Sequence, residues 1–151
     1  MARRSREEVI MATAGYSGTP LPQKLGIKEQ SKVALVDPPP KFDLGTLPTG
    51  ATLQRGLASR AKTPPLLDVI VVFVKQQAVL AEQIAACRPR MQQAGGLWIA
   101  WPKKTSGVAT DIVEQTIRDL ALPTGLVDNK VCAIDETWSG LRLVIRKQNR
   151  K

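Results

Sequence analysis

The sequence predicts an α/β protein, a three-layer sandwich on a mostly parallel sheet that ends in an antiparallel β-hairpin. The first observation is a nearly unbroken β-branched run at 68–74. The second is another apolar run at 97–101, which follows after one helical segment. Continuous apolar strands joined by a helix are typical of parallel sheets covered on both faces. The third is the pair of segments 127–134 and 138–146, whose short, turn-rich link predicts the hairpin.

The other elements follow from local signals along the chain. A first strand at 31–36 ends at three prolines, which cannot donate to a β-ladder. Strands are predicted at 31–36, 51–55, 68–74, 97–101, 127–134 and 138–146, and helices at 22–26, 76–91 and 108–122, with room for one more turn within 41–50.

The two longer helices are predicted from apolar residues that recur at helical spacing. Gly95 and Gly96 are expected to turn the chain from the first of these helices into the next strand. Thr110 is expected to cap the second, with Asp111 and Glu114 in its first turn, where negative charge suits the helix dipole.

The length of 151 residues suits one domain. We expect a flexible basic N-terminal segment at 1–14, a single α/β domain at 15–146 and a basic C-terminal tail at 147–151. The formal net charge is +9, part of it at the two ends. Such basic runs at the termini are either solvated tails or segments that bind nucleic acid weakly and in a salt-sensitive way.

Several classes of function are excluded by what the chain lacks. It contains no histidine, which removes the histidine-dependent catalytic triads and the zinc-protease helix motif. No stretch is long and apolar enough to span a membrane, and no secretory signal is expected, so a cytoplasmic location is predicted. Cys87 and Cys132 lack metal-ligand spacing and are expected to be buried free thiols, with a redox pair as the alternative.

Three blocks of the sequence carry a resemblance to a known family. They are the segments 15–27, 97–104 and 127–142, which contain Gly15-Tyr-Ser-Gly-Thr-Pro, Leu97-Trp-Ile-Ala-Trp-Pro and Asp135-Glu-Thr-Trp-Ser-Gly. They resemble a bacterial family known as domain of unknown function 3052, for which no activity can be carried over. The order of elements also looks like the Rossmann-like sheet of methyltransferases, in which the final strand inserts antiparallel to the rest.

The chain departs from such enzymes where a nucleotide cofactor would bind. They resemble dinucleotide-binding proteins in needing a glycine-rich turn after the first strand, so that the backbone approaches the cofactor. Here that turn is Asp37-Pro38-Pro39-Pro40, and the second strand ends without an acid to bind a ribose. The three prolines are expected to fill the usual nucleotide site. No cofactor is therefore predicted, and no metal.

Polar residues are expected to meet at the carboxyl edge of the sheet, where parallel α/β proteins bind ligands. The candidate anion-binding residues are Lys75, Lys103, Lys104, Thr105, Ser106 and Gly107, and the candidate rim residues are Asp37, Asp135, Glu136, Trp138 and Ser139. The loop at 102–107 is expected to precede a helix amino terminus and to bind a phosphate or carboxylate. The alternative is a solvated turn whose lysines pair with Asp135 or Glu136.

No catalytic residue is predicted. The adjacent carboxylates Asp135 and Glu136 could act in acid–base chemistry, although acids in loops are more often exposed or paired. The sequence thus favours a non-enzymatic domain that binds a protein partner or a small anion at the carboxyl edge. The alternatives are a degenerate transferase with an anionic substrate held by Lys103 and Lys104, and a weak nucleic-acid-associated protein.

Overall fold

Residues 19–150 are described by a computed structural model of the chain. They contain six strands, which are β1 Lys32–Val36, β2 Thr52–Arg55, β3 Leu67–Phe73, β4 Met91–Pro102, β5 Leu126–Ala133 and β6 Trp138–Ile145. They also contain the helices α1 Leu21–Lys24, α2 Gln77–Cys87 and α3 Glu114–Ala121. The predicted segment 1–14 and residues 15–18 of the block at 15–27 lie outside the described residues, as does Lys151.

All six strands belong to one sheet in the order β2-β1-β3-β4-β6-β5. The pairs β1–β2, β1–β3 and β3–β4 are parallel, whereas β6 runs antiparallel to both of its neighbours. The last strand of the hairpin therefore inserts between β4 and β5. The predicted fold class, a mostly parallel Rossmann-like sheet that ends in an antiparallel hairpin, is confirmed.

The two faces of the sheet bury different sets of side chains. On one face, Leu80 and Ile84 of α2 and Ile117 of α3 pack against alternate residues of the strands. On the other face, Leu25 and Leu44 cover the sheet from α1 and from the coil that follows β1. The second layer of the sandwich is therefore mostly irregular chain, and the turn predicted within 41–50 is not helical.

A buried hydrogen bond attaches α1 to this second face. The indole Nε1 of Trp98 on β4 donates to the carbonyl oxygen of Leu25 over 3.0 Å. Trp98 is fully buried. The bond gives the buried indole N–H an acceptor. It also attaches the end of α1, a four-residue helix that has little stability of its own.

The chain enters β4 earlier than predicted. Helix α2 ends at Cys87, a 3₁₀ turn occupies Arg88–Arg90, and β4 begins at Met91. Gly95 and Gly96 thus lie within the strand, and the prediction that they form a turn is wrong. A Cβ at Gly95 would lie 3.0 Å from the carbonyl oxygen of Asp68, so glycine is needed there for the close approach of β3 beside a register shift.

Helix α3 is shorter than predicted, because it begins at Glu114 instead of Val108. Thr110 does not cap it. Its hydroxyl donates to the carbonyl oxygen of Lys75 over 2.6 Å, and the carboxylate of Asp111 accepts the N–H of Gln77 over 2.8 Å. Asp111 therefore serves the amino terminus of α2, and the segment before α3 is bound to the loop after β3.

Candidate functional site

A cleft of about 390 Å³ lies at the carboxyl ends of β1 and β3. Its walls come from the loop after β1, the loop after β3, the start of α2 and the hairpin. The lining residues are Asp37, Pro39, Pro40, Phe73, Val74, Lys75, Gln76, Val79 and Trp138. The volume is within the range of small-molecule sites.

The connections of the sheet explain why a cleft forms at this point. The chain leaves β1 toward β2 on one side, and it leaves β3 toward β4 on the other. The two loops therefore diverge from neighbouring parallel strands and leave a crevice between them. Ligands of open α/β sheets bind at such a topological switch point.

Asp37 forms one wall directly after β1. Its backbone has a φ of 54°, a left-handed conformation that is uncommon for a residue with a side chain. Its carboxylate is exposed and accepts a hydrogen bond of 3.4 Å from the side-chain amide of Gln83 on α2. The turn therefore carries a carboxylate at a position whose backbone geometry favours glycine.

The prolines after Asp37 line the cleft without filling it. Pro39 and Pro40 belong to its wall, and the carbonyl oxygen of Pro39 accepts the N–H of Phe42 over 3.0 Å. The Phe42 ring packs edge-on against Phe73, with ring centroids 4.7 Å apart. The expectation that the prolines fill this site is wrong, because Pro39 and Pro40 border an open cleft.

Trp138 forms the wall on the hairpin side. Its ring is perpendicular to that of Phe73, with centroids 5.2 Å apart. The carboxylate of Asp135 accepts the backbone N–H groups of Thr137 and Trp138, each over 2.8 Å, and so fixes the turn that carries the indole. In the structure, the carboxylate of Asp135 thus forms hydrogen bonds within the turn.

Lys75 is the one predicted anion-binding residue that lines the cleft. Its backbone is held by the segment before α3, since its carbonyl oxygen accepts from both Thr110 and the N–H of Asp111. Its side chain is exposed. The cleft therefore has an acid, Asp37, and a base, Lys75, on the loops of adjacent strands.

The other predicted anion-binding residues lie in a separate loop. Lys104–Ser106 form a 3₁₀ turn that ends at Gly107, whose φ is 76°. The Ser106 hydroxyl donates to the carbonyl oxygen of Lys103 over 2.6 Å. Because α3 begins only at Glu114, this loop does not lead directly into a helix amino terminus, and that part of the prediction is wrong.

The remaining predicted rim residues also lie outside the cleft wall. Glu136 is exposed in the hairpin turn. Ser139 pairs with Trp101 of β4 and Ala133 of β5 within the sheet. Of the predicted residues, the structure therefore groups Asp37, Lys75 and Trp138 around the cleft and leaves the others apart.

The apolar wall and α2 side chains of the cleft were missed by sequence reasoning. The sequence places Phe73 and Val74 in a strand, Gln76 at the start of the following helix and Val79 on the buried face of that helix. The only signal was their position immediately after a parallel strand.

The two thiols lie on opposite faces of the sheet and are free. Burial raises the pKa of Cys87 on α2 to about 12. Burial also raises the pKa of Cys132 on β5, against the opposing charges of Lys24 and Lys130. The separation rules out the redox pair that the sequence left open.

Two kinds of feature are absent from residues 19–150. No group of three or more acidic or cysteine side chains there could hold a metal ion. No helix in this part of the chain has the length and apolar character needed to cross a membrane.

Comparison with solved structures found the same fold in methyltransferases. A SAM-dependent methyltransferase from Aquifex aeolicus superposes with a TM-score of 0.60 at 12% identity, over 82% of this chain and 86% of that one. TrmN from Thermus thermophilus gives 0.53 at 10% identity, over 83% and 47%. A fibrillarin pre-rRNA processing protein from Methanococcus jannaschii gives 0.50 at 14% identity, over 80% and 69%. No family model and no curated protein matches the chain.

These neighbours correct the functional prediction made from the sequence. A non-enzymatic domain that binds a partner or a small anion at the carboxyl edge is contradicted, since the fold is shared with a SAM-dependent methyltransferase. At 10–14% identity the likeness establishes the fold.

Proposed function

We propose that the chain is an enzyme of the methyltransferase type that binds a small organic molecule in the cleft between β1 and β3. The observation that carries this proposal is the position of the cleft at the topological switch point, where the loops after the two strands diverge. The methyltransferase fold of the structural neighbours supports the class of enzyme.

The chemistry of the wall favours a ligand with an apolar body and charges of both signs. Phe73, Val79 and Trp138 provide an apolar and aromatic surface, and Trp138 can also bind a cation against its ring face. Asp37 can pair with an ammonium group and Lys75 with a carboxylate. An amino-acid moiety carries both groups.

S-adenosylmethionine, the molecule implied by the neighbours, fits this donor set only in part. Its amino-acid end matches Asp37 and Lys75. Its adenosine lacks a glycine-rich turn, because the three prolines after β1 supply no N–H donors. It also lacks a carboxylate at the end of β2, where the side-chain amide of Gln54 donates to the carbonyl oxygen of Gly56 over 2.9 Å. The residues do not provide the usual nucleotide-binding contacts, so we expect binding of this molecule to depend on its amino-acid end and on the ring of Trp138.

Binding measurements test the proposal directly. Calorimetric titration with S-adenosylmethionine and S-adenosylhomocysteine is compared for the native chain, Asp37→Asn and Trp138→Leu, with Lys104→Ala as a control outside the cleft. We expect Asp37→Asn and Trp138→Leu each to weaken binding about tenfold, as for the loss of one charged or aromatic contact. The control is expected to bind like the native chain.

Transfer of label tests the enzymatic part. The native chain is incubated with S-adenosylmethionine labelled in its methyl group and with separate fractions of metabolites, RNA and protein. Label in one fraction that is lost with Asp37→Asn supports the proposal. Absence of both binding and transfer would overturn it.

Membership in the domain of unknown function 3052 family and a cytoplasmic location are further parts of this proposal. The three sequence blocks support the first. The free Cys87 and Cys132 thiols support the second, because such thiols are typical of reducing compartments.

A further inference from the structure

A second cavity, of about 650 Å³, lies at the opposite, amino-terminal edge of the parallel strands. It is bordered by the segment before β1, the start of β3 and the start of β4. Its polar lining includes Lys28, Ser31, Asp68, Gln92 and Arg142. None of its residues belongs to the proposed cleft, so an inference about it stands independently of the proposed function.

Arg142 of β6 is held against this cavity by the absence of a side chain on β4. A Cβ at Gly96 would lie 2.5 Å from the Nε of Arg142 and 3.0 Å from its Cζ. The guanidinium therefore lies across β4 in the space that a larger residue would occupy. Gly96 and Arg142 together place a planar cation on the sheet surface.

The charge of Arg142 is incompletely compensated among residues 19–150. Its one side-chain hydrogen bond there is the long contact of 3.4 Å to Oδ1 of Asn129. Burial lowers the pKa of Arg142, and the neighbouring Arg150 guanidinium lowers it further. A half-buried guanidinium with a second positive charge in its vicinity is stabilised by an anion that binds beside it.

We propose that this cavity binds a phosphate group, with the Arg142 guanidinium as its principal ligand and Lys28 as a second positive charge. The planar fork of an arginine matches two phosphate oxygens at once. The site lies at the edge of the sheet away from the loop at 102–107.

The carboxylate of Asp68 lines the same cavity and is engaged elsewhere. Its Oδ2 accepts the backbone N–H of Lys32 over 2.8 Å, at the start of β1. Arg142 and Lys28 outweigh its single negative charge. A phosphate monoester and a phosphodiester share the recognised chemistry, so both are tested.

The experiment follows inorganic phosphate and a phosphodiester-linked dinucleotide by ¹⁵N NMR of the full chain at constant ionic strength. Arg142→Gln is compared with Arg55→Gln, which removes the same charge from the exposed end of β2. We expect amide shifts to change at Gly26, Ala94 and Gly96. Arg142→Gln is expected to weaken binding about tenfold, whereas Arg55→Gln leaves it within about twofold.

Two further variants keep the test decisive. Arg142→Lys retains the charge and loses the fork, and it replaces Arg142→Gln if circular dichroism shows that the latter is unfolded. Gly96→Ala displaces the guanidinium and is expected to weaken binding as well. Preference for one probe identifies the monoester or the diester as the source of the phosphate.

Three results would overturn the proposal. They are no shift change with either probe at millimolar concentration, changes confined to Lys103–Gly107 or the cleft, and equal affinities for Arg142→Gln and Arg55→Gln. Because the cleft residues are untouched by these variants, failure here leaves the methyltransferase proposal standing, and the titrations of the cleft are read separately.

Discussion

Asp37 combines a strained backbone with a position in the cleft. Its φ of 54° suits glycine better than a residue with a side chain. Backbone strain of this kind concentrates at functional sites, where the side chain is needed more than the stability. We infer that the carboxylate, and not the turn, determines the residue at this position.

Substitution of Asp37 separates the two effects. Asp37→Gly is expected to stabilise the fold by about 1 kcal/mol, because glycine adopts this conformation without strain. Asparagine adopts the left-handed conformation about as readily as aspartate, so Asp37→Asn is expected to leave the free energy of unfolding unchanged. Urea denaturation measures both. Destabilisation by Asp37→Gly would show that the carboxylate stabilises the turn.

The two cysteines are expected to differ in reactivity. Since the pKa of Cys87 is raised to about 12 by burial, its thiolate is scarce at pH 8. The less buried Cys132 is expected to react first with iodoacetamide, and more slowly than an unfolded thiol. Mass spectrometry of the alkylated peptides checks the order. Faster labelling of Cys87 would contradict the packing of α2.

The raised pKa of Cys87 also has a consequence for stability. An unfolded thiol ionises near pH 9, whereas the folded one stays protonated until about pH 12. The unfolded state therefore binds fewer protons in that window, and this contribution to stability falls as the pH rises through it.

Short elements depend on contacts that no local pattern reveals. Helix α1 has four residues and is attached through the indole of Trp98. The sequence predicts this helical turn from a nearby proline and glycine. It does not reveal the hydrogen bond from Trp98 to the Leu25 carbonyl, because the two residues are 73 positions apart. Likewise, Asp111 was predicted in the first turn of α3 and instead accepts from the start of α2, because tertiary contacts override a local capping signal.

Removing the indole N–H tests this contact. Trp98→Phe is expected to lower the free energy of unfolding by 1–2 kcal/mol (about one hydrogen bond with a buried carbonyl left unsatisfied) relative to Trp101→Phe. Trp101 is a matched control because it is a buried tryptophan on the same strand. Chemical denaturation of both variants gives the difference. Equal losses would mean that the bond contributes nothing.

At the scale of the whole molecule, the sequence was sufficient for the sheet and insufficient for the site. The apolar runs at 68–74 and 97–101 predicted adjacent parallel strands, and Val71 and Trp98 are paired in that way. The position of Trp138 over the cleft depends on β6 inserting beside β4, and the Phe42 ring packs against Phe73 from the loop after β1. Both are contacts between distant segments, which spacing along the chain does not encode.

The net charge of +9 predicts a property of the molecule beyond either site. We expect weak binding to single-stranded RNA that decreases steeply with salt. Replacement of Lys147, Arg150 and Lys151 by glutamine is expected to reduce the salt dependence. Fluorescence anisotropy over a range of salt concentrations measures the slope. An unchanged slope would show that the basic tail is only a solvated end.

The most direct test of the account is a map of where a ligand meets the sheet. Amide shifts of the native chain are recorded during titration with S-adenosylhomocysteine. We expect changes concentrated in the loop after β1, in the loop after β3 and around Trp138. Changes centred on Lys103–Gly107, or a saturating ligand that leaves both loops unperturbed, would contradict the assignment of the cleft between β1 and β3 as the functional site.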